Sequence, residues 1–371
     1  MATLRLGIVG YRGMVGSVLI ERMLAEKDFQ HFNTSLFSTS QAGSEAPSYS
    51  SESKVFDANN LMELAKMDVI LTCQGGDYTK AIYAPLRKLG WSGYWIDAAS
   101  ALRMDDEAVL VLDPVNLNVI KSALREGKKT YVGANCTVSL MLLALDGLFK
   151  RQAIEWVSSM TYQAASGAGA KNMRELLSQM QNIGDRLRPE IDNVAGDILA
   201  LEKNATQLIS SNSFPTENFG HPLALNLLPW IDVALSSGQS KEEWKAQVEA
   251  NKIMATQKTI PVDGTCVRVS ALRCHSQGLT VKLNQKIPLN EVEGLLKDSH
   301  QWLKFVDNNK EATLKELCPR AISGTLDIGI GRVRKMTLGE DYLNVFTVGD
   351  QLLWGAAEPL RRMLHLINEN K

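Results

Sequence analysis

The 371-residue chain lacks an excess of charge of either sign: 40 lysines and arginines face 41 acidic residues, a formal net charge of -1. No bulk field therefore draws it to nucleic acid or to an anionic membrane, and any anion must be met by local cations. There is no run of about 18 apolar residues, and no charged n-region followed by a long apolar core at the start, so neither membrane insertion nor secretion is expected. The five cysteines, at 73, 136, 266, 274 and 318, are odd in number and scattered. None forms a CxxC pair or a Cys/His spacing suited to a metal. Reduced thiols, a cytoplasmic location and no metal site are the expectations.

A further absence bears on a cofactor. Leu4 to Gly10 is a strand, followed by Gly10-Tyr-Arg12-Gly13-Met14-Val15-Gly16 and an apolar-periodic helix through Leu19, Met23 and Leu24. That order opens a dinucleotide-binding βαβ unit, in which glycines let backbone and helix N-terminus approach a pyrophosphate. The spacing is GxxGxxG rather than GxGxxG, so its weight comes from the strand before it and the helix after it. After the second strand, near Leu36-Phe37, an NAD-specific site would offer Asp or Glu to the ribose. Here Phe37-Ser38-Thr39-Ser40-Gln41-Ala42-Gly43 offers hydroxyls and no acid. With Arg12 in the glycine turn, this suits a 2′-phosphate and favours NADP.

With 45% hydrophobic and 22% charged residues the chain has the balance of a soluble globular protein, and its length implies two domains of roughly 100–200 residues. Residues 44–58 read as a polar surface loop. Strands at Asp68–Cys73, ending in Gln74-Gly75-Gly76, and at Tyr94–Ala98, Val109–Leu112 and Lys129–Gly133 alternate with helices near 79–89 and 115–126. The alternation predicts an α/β, Rossmann-type doubly wound parallel sheet. Beyond Phe149 the texture changes to a long strand, Ile154–Gln163, helices near 171–182, 194–204 and 241–253, and strand-like runs at 262–270, 271–283, 321–336 and 342–348. This predicts an α+β domain with a mixed or antiparallel sheet. The expected division is 1–135 for the nucleotide domain, 136–350 for a catalytic and dimerisation domain, and 351–371 for a helix returning to the first.

Cys136 follows the strand ending at Gly133 and opens the apolar run Val138–Phe149, so it sits at the start of a buried helix, with Thr137 available as a cap. Unpaired N–H groups and the positive helix end favour thiolate, lowering a pKa that starts near ~8.5. A cysteine alone more often packs as a small hydrophobe. A partner base changes that, and His275, on an apolar β segment with Arg268 seven residues before it, is the best placed of five histidines.

The segments GYRGMVGS, FSTSQAG, TCQGGDYT, DAASALRM, NCTVSLM, TYQAASGAGAKNMRELL, KEEWK, VDGTCVRVSALRCHSQ and TVGDQLLWGAAEP, in order from residue 7 to about residue 362, closely resemble the bacterial aspartate-semialdehyde dehydrogenases, most of all the branch found in Gram-negative bacteria. The resemblance implies NADP-dependent interconversion of aspartate semialdehyde plus phosphate with aspartyl phosphate, on the route to lysine or diaminopimelate, methionine, threonine and isoleucine. It implies Cys136 as acyl-thioester nucleophile, His275 as acid/base and Gln163 as an orienting group. Arg268 would pair with the substrate α-carboxylate and Glu242 with its ammonium, Arg103 and Lys245 would hold phosphate, and Asn135 would also meet substrate. The cofactor contacts would be Gly10, Arg12, Gly13, Met14, Val15, Thr39, Ser40, Gln74, Ser166, Gly167 and Gln351. A homodimer is implied as well.

One departure stands out. The motif commonly reads GGNC, whereas here it is Gly133-Ala134-Asn135-Cys136. A positive φ at Ala134 would cost about 1 kcal/mol or more, and a negative one nothing. The alternatives are a catalytically silent nucleotide-binding paralogue, against which intact Cys136, Gln163, Arg268 and His275 speak, and a related acyl-phosphate reductase for an acylated amino acid, whose uncharged nitrogen gives Glu242 no partner.

Overall fold

The computed structural model describes residues 3–370. The extreme ends of the expected terminal segments, residues 1, 2 and 371, lie outside the described residues.

Strands β1 (Leu4–Val9), β2 (Phe32–Ser38), β3 (Phe56–Asp57), β4 (Val69–Thr72), β5 (Tyr94–Asp97), β6 (Ala108–Val111) and β7 (Thr130–Gly133) form one sheet. Apart from the two-residue β3 they are mostly apolar and buried on both faces, as parallel strands covered by helices must be. Their order is β3-β2-β1-β4-β5-β7-β6, and every pair is parallel. The order reverses at β1 and β4, so the ends of those two strands open the crevice where such sheets take ligand. The stretch 44–58 is not all loop. Phe56 packs on Phe37 with ring centroids 5.4 Å apart, and Ser51 N–H donates to the Thr34 carbonyl, fastening it to the sheet edge.

The helix Cys136–Lys150 leads into the second half, and all residues from Thr137 to Phe149 are buried. Around it lie β8 (Ile154–Gln163), β9 (Val262–Arg268), β10 (Cys274–Leu283), β11 (Leu303–Phe305), β12 (Ile328–Met336) and β13 (Gly339–Asp350) in the order β11-β12-β13-β10-β8-β9. The sheet is mixed. β8 pairs in parallel with β9 and antiparallel with β10, inserting between two strands that are neighbours in sequence. That insertion builds the site. Gln163 ends β8, Arg268 is its register partner at the end of β9, and His275 is the second residue of β10, one before the pair Ser276–Tyr162.

After β13 the chain makes a π-helical turn, Leu353–Ala357, and a final helix, Glu358–Glu369. Arg361 of that helix holds Asp28 through two bonds of 2.9 and 3.0 Å, and Arg362 holds Asp113, so it packs on the first sheet's helices. Among the described residues no helix is long and apolar enough to cross a membrane, and no cluster of His, Cys, Asp and Glu is arranged for a metal ion.

Candidate active site

The turn carrying Cys136 is built by its neighbours. Asn135 caps the helix: its side-chain oxygen accepts from the N–H groups of Thr137 (2.9 Å) and Val138 (3.3 Å), and from the Thr137 hydroxyl. The expected cap at Thr137 is thereby corrected. An Asn oxygen one residue before the helix reaches the first free amides, whereas a hydroxyl already inside it does not. Ala134 is absent from the residues with positive φ, so replacing the commoner glycine leaves no strain.

Cys136 Sγ lies 3.2 Å from His275 Nε2. On the far side of the imidazole, Nδ1 accepts from the Ala164 N–H at 3.0 Å. A neutral ring accepting at Nδ1 carries its hydrogen on Nε2, so His275 donates towards the sulfur. Burial first, and Arg268 second, hold its pKa well below the ordinary histidine value. The expected lowering of the thiol pKa does not hold. Burial pushes Cys136 up to about 12 and Glu242 adds to it, against the opposing pull of Arg103, Arg268 and Lys245. The resting pair is thus a thiol beside a neutral imidazole. Below that pKa the thiolate fraction grows about tenfold per pH unit, so alkylation of Cys136 in the free protein, followed by peptide mass spectrometry, is expected to climb without a plateau between about pH 7 and 9. A plateau in that window would show that the helix N-terminus outweighs burial.

Two glycines press on this pair. A Cβ at Gly167 would stand 2.7 Å from Arg268 Nη1 and 3.1 Å from His275 Cε1, and one at Gly355, in the π-helical turn, 2.7 Å from Cys136 Cβ. A side chain at Gly167 would push on Arg268 and His275, and one at Gly355 on Cys136.

Around the sulfur lies a buried set of opposite charges. Glu242 accepts from Asn135 Nδ2 (3.0 Å), Gln163 Nε2 (3.3 Å) and Lys245 Nζ (3.0 Å). Burial works to raise its pKa, but Lys245 and the Asn135 amide outweigh that and hold it below the usual carboxylate value. Lys245 also donates to Asp232 at 2.7 Å. Arg268 is buried, with Nη1 donating to the Ala164 carbonyl at 2.7 Å. Arg103 turns its guanidinium on the turn that carries Cys136, Nε to the Gly133 carbonyl (2.8 Å) and Nη2 to that of Ala134 (3.2 Å). Sequence reasoning missed Glu249, Asp232, Ala164 and Gly355. Only Glu249 left a signal, sharing the helical spacing of Glu242 and Lys245.

At the other end, the glycine turn is a cradle. Gly10 has φ +76°, and a Cβ there would meet the Cys73–Gln74 backbone at 2.8 Å; one at Gly16 would stand 2.2 Å from the Gly10 carbonyl oxygen. Gly13 caps the helix begun by Met14 and Val15. Gln74 Nε2 donates to Thr39 Oγ1 at 3.2 Å, with Ser40 exposed alongside. Arg12 lines an open cleft of about 650 Å³ with Tyr11, Ser17, Gln41, Ser44 and Tyr49, a space that suits an adenosine moiety. Ser166 and Gln351 form a separate group near His275, joined by a 2.7 Å bond from Gln351 Nε2 to Ser166 Oγ.

A nucleotide-binding parallel sheet joined to a mixed sheet that carries a Cys–His pair, the imidazole buried and the thiol partly exposed, defines a nicotinamide-dependent oxidoreductase acting on an aldehyde. Residues 5–123 match the family model described as semialdehyde dehydrogenase, NAD binding domain, and residues 145–354 the one described as semialdehyde dehydrogenase, dimerisation domain. The chain is 52% identical to the aspartate semialdehyde dehydrogenase of Francisella tularensis, over 98% of this chain and 100% of that one, with a TM-score of 0.94. The chain belongs to the aspartate-semialdehyde dehydrogenase family. Two more distant members share its fold. Aspartate semialdehyde dehydrogenase II of Vibrio cholerae, solved with ASA, is 23% identical at a TM-score of 0.81, over 99% and 98% of the two chains. The enzyme of Candida albicans, solved with NADP, is 16% identical at 0.66, over the full length of both.

Proposed function

We propose that the protein is an NADP-dependent, phosphorylating aspartate-semialdehyde dehydrogenase, interconverting L-aspartate 4-semialdehyde plus phosphate with 4-phospho-L-aspartate. The observation that carries this reading is the 3.2 Å approach of Cys136 Sγ to His275 Nε2 among Arg103, Arg268, Lys245 and the carboxylate of Glu242. That charge set complements a substrate with a carboxylate, an ammonium and a phosphate. Arg268 would take the α-carboxylate through its planar fork, Glu242 the α-ammonium, and Arg103 with Lys245 the phosphate, while Gln163 and Asn135 orient the acyl group. The reaction belongs to the route towards lysine or diaminopimelate, methionine, threonine and isoleucine. A cytoplasmic homodimer, assembled through the second domain, fits the match to a dimerisation model.

In the reductive direction the Cys136 sulfur, having lost its proton, attacks the acyl phosphate. Phosphate departs between Arg103 and Lys245, leaving a thioester on the sulfur. NADPH, when bound, would supply the hydride; Arg12 would meet its 2′-phosphate, the Gly10–Gly16 turn its pyrophosphate, and Ser166, Gly167 and Gln351 its nicotinamide end. The tetrahedral adduct on Cys136 then collapses, its oxygen forming the aldehyde carbonyl while the sulfur leaves. Asn135 Oδ1 already holds the N–H groups of Thr137 and Val138, so that oxyanion would fall to the N–H of Cys136 itself. His275 works as acid/base on the sulfur. To take the sulfur's proton at Nε2 the ring must carry its own hydrogen on Nδ1, and so must release the Ala164 N–H during turnover.

The test is NADPH absorbance with semialdehyde and NADP, in the presence and absence of phosphate. Phosphate-dependent reduction is expected, and NADPH formation independent of phosphate would sink the reading. Arg12→Ala tests the cofactor assignment separately. It is expected to weaken NADP roughly tenfold to a hundredfold, as loss of a charge-assisted contact does, and NAD hardly at all. Equal weakening in a binding titration would place Arg12 elsewhere than on the 2′-phosphate.

A further inference from the structure

Glu249 lies one turn beyond Lys245 on the helix Lys241–Met254, is 2% exposed, and has no part in the assignments above. Its carboxylate is split between two pieces of the site: Oε1 accepts from Arg103 Nη1 at 3.1 Å and Oε2 from the Asn135 backbone N–H at 2.6 Å. Arg103 in turn holds the carbonyls of Gly133 and Ala134. One carboxylate and one guanidinium therefore fix three main-chain groups of the turn that presents Cys136. Lys252, a further turn along, donates from Nζ to the carbonyls of Arg103 (2.8 Å) and Asp105 (2.6 Å). Arg103 is thus gripped at its side chain and its backbone by the same helix that carries Glu242 and Lys245.

Residues 242, 245, 249 and 252 share one helical face. A buried carboxylate survives such a place only when its oxygens are used, and here each has a different partner. We propose that Glu249 is a positioning residue for the chemistry at Cys136, holding Arg103 and the Asn135 amide in one register so that the phosphate-binding cation and the sulfur keep a fixed separation. The proposal rests on the phosphate role given to Arg103 above. It has a second consequence: phosphate must share the Arg103 guanidinium with a resident carboxylate, which keeps the leaving anion from being held too tightly.

Glu249→Gln preserves size but sets an amide NH₂ against the Arg103 N–H while its oxygen can still serve Asn135. Its kcat is expected to fall roughly tenfold to a hundredfold, the effect of a misplaced reacting group. Its KM for phosphate should drop severalfold, because the guanidinium charge is no longer compensated, and its KM for the aldehyde should stay unchanged. Glu249→Asp keeps the charge but falls a methylene short; kcat is lost without tighter phosphate binding. A lower kcat with a lower phosphate KM is a pattern that simple loss of folding does not produce. The proposal is overturned if kcat in the Gln variant stays within about twofold of wild type, or if kcat and both KM values worsen together with the melting temperature. Should the Gln variant not fold, the Asp variant decides by kcat and by the alkylation rate of Cys136. Phosphate-independent activity in the wild type would sink the phosphorylating reading and leave Glu249 to that alkylation rate: a change beyond about threefold in Glu249→Asp supports the positioning role, and an unchanged rate overturns it.

Discussion

Cys136→Ser is expected to lower kcat by about 10⁴-fold or more while leaving NADP affinity within about twofold of wild type. The magnitude comes from what sulfur supplies here. Burial already pushes the thiol up to about 12, and a hydroxyl starts several pH units higher, so its anion is out of reach in the same pocket. A thioester also accepts hydride more readily than the ester that serine would form. Cofactor affinity should survive because the glycine turn at the end of β1 belongs to the first sheet, whereas Cys136 is held by Asn135 and His275 beneath the second. The measurements are NADPH absorbance for turnover and fluorescence titration for NADP. Residual activity within about tenfold of wild type would end the nucleophile assignment, and joint loss of activity and affinity would end the separation of roles.

How much of this was legible in the chain follows from which interactions are local. The Gly10–Gly16 turn is largely local, a strand end, a helix start and a Gly16 whose Cβ would meet the Gly10 carbonyl, so its spacing announces it, although what closes on Gly10 is the distant Cys73–Gln74 backbone. The start of the Cys136 helix is local in the same way, although the cap proved to be Asn135, because the first free amides are reached from the residue before the helix. The pairing of Arg268 with His275 is not local. Seven residues separate them, yet what unites them is β8, which arrives from about a hundred residues earlier and wedges between their strands. No periodicity within 262–283 encodes that insertion. The sign of the Cys136 pKa shift is not legible in the chain for a related reason: the helix end is visible in sequence, whereas the burial that opposes it is a property of the packed molecule.

Glu242 and Lys245 show the limit from the other side. Their i, i+3 spacing on a helix reads as an exposed ion pair, and only the fold, by pressing that face onto the Cys136 turn, buries Glu242 and covers most of Lys245. Glu249 and Lys252 continue the face for two more turns. A charged stripe of that length along one side of a helix is ambiguous between solvent and an ionic pocket until something is seen to cover it.

Arg268→Leu is expected to reduce kcat/KM by roughly 10²- to 10⁴-fold, since removing one member of a buried, charge-assisted pair costs about 3–5 kcal/mol and each 1.36 kcal/mol is tenfold. Arg268→Lys should recover little of it, because an ammonium cannot reproduce a two-pronged contact with a carboxylate. A competing explanation is built into the geometry. Arg268 donates to the Ala164 carbonyl at 2.7 Å, and the N–H of that same residue donates to His275 Nδ1 at 3.0 Å. Replacing the arginine could therefore act through the histidine rather than on the substrate. The two effects separate in the alkylation of Cys136, which senses the imidazole but needs no α-carboxylate. If the leucine variant alkylates at the wild-type rate while its KM for semialdehyde rises steeply, Arg268 reads the substrate. If alkylation changes in step with kcat/KM, the arginine is a support for Ala164 and His275, and the carboxylate must be bound by another group. The charge of the pocket favours the first outcome, because Arg268 is the cation on the His275 side of the sulfur, while Lys245 is already paired with both Glu242 and Asp232.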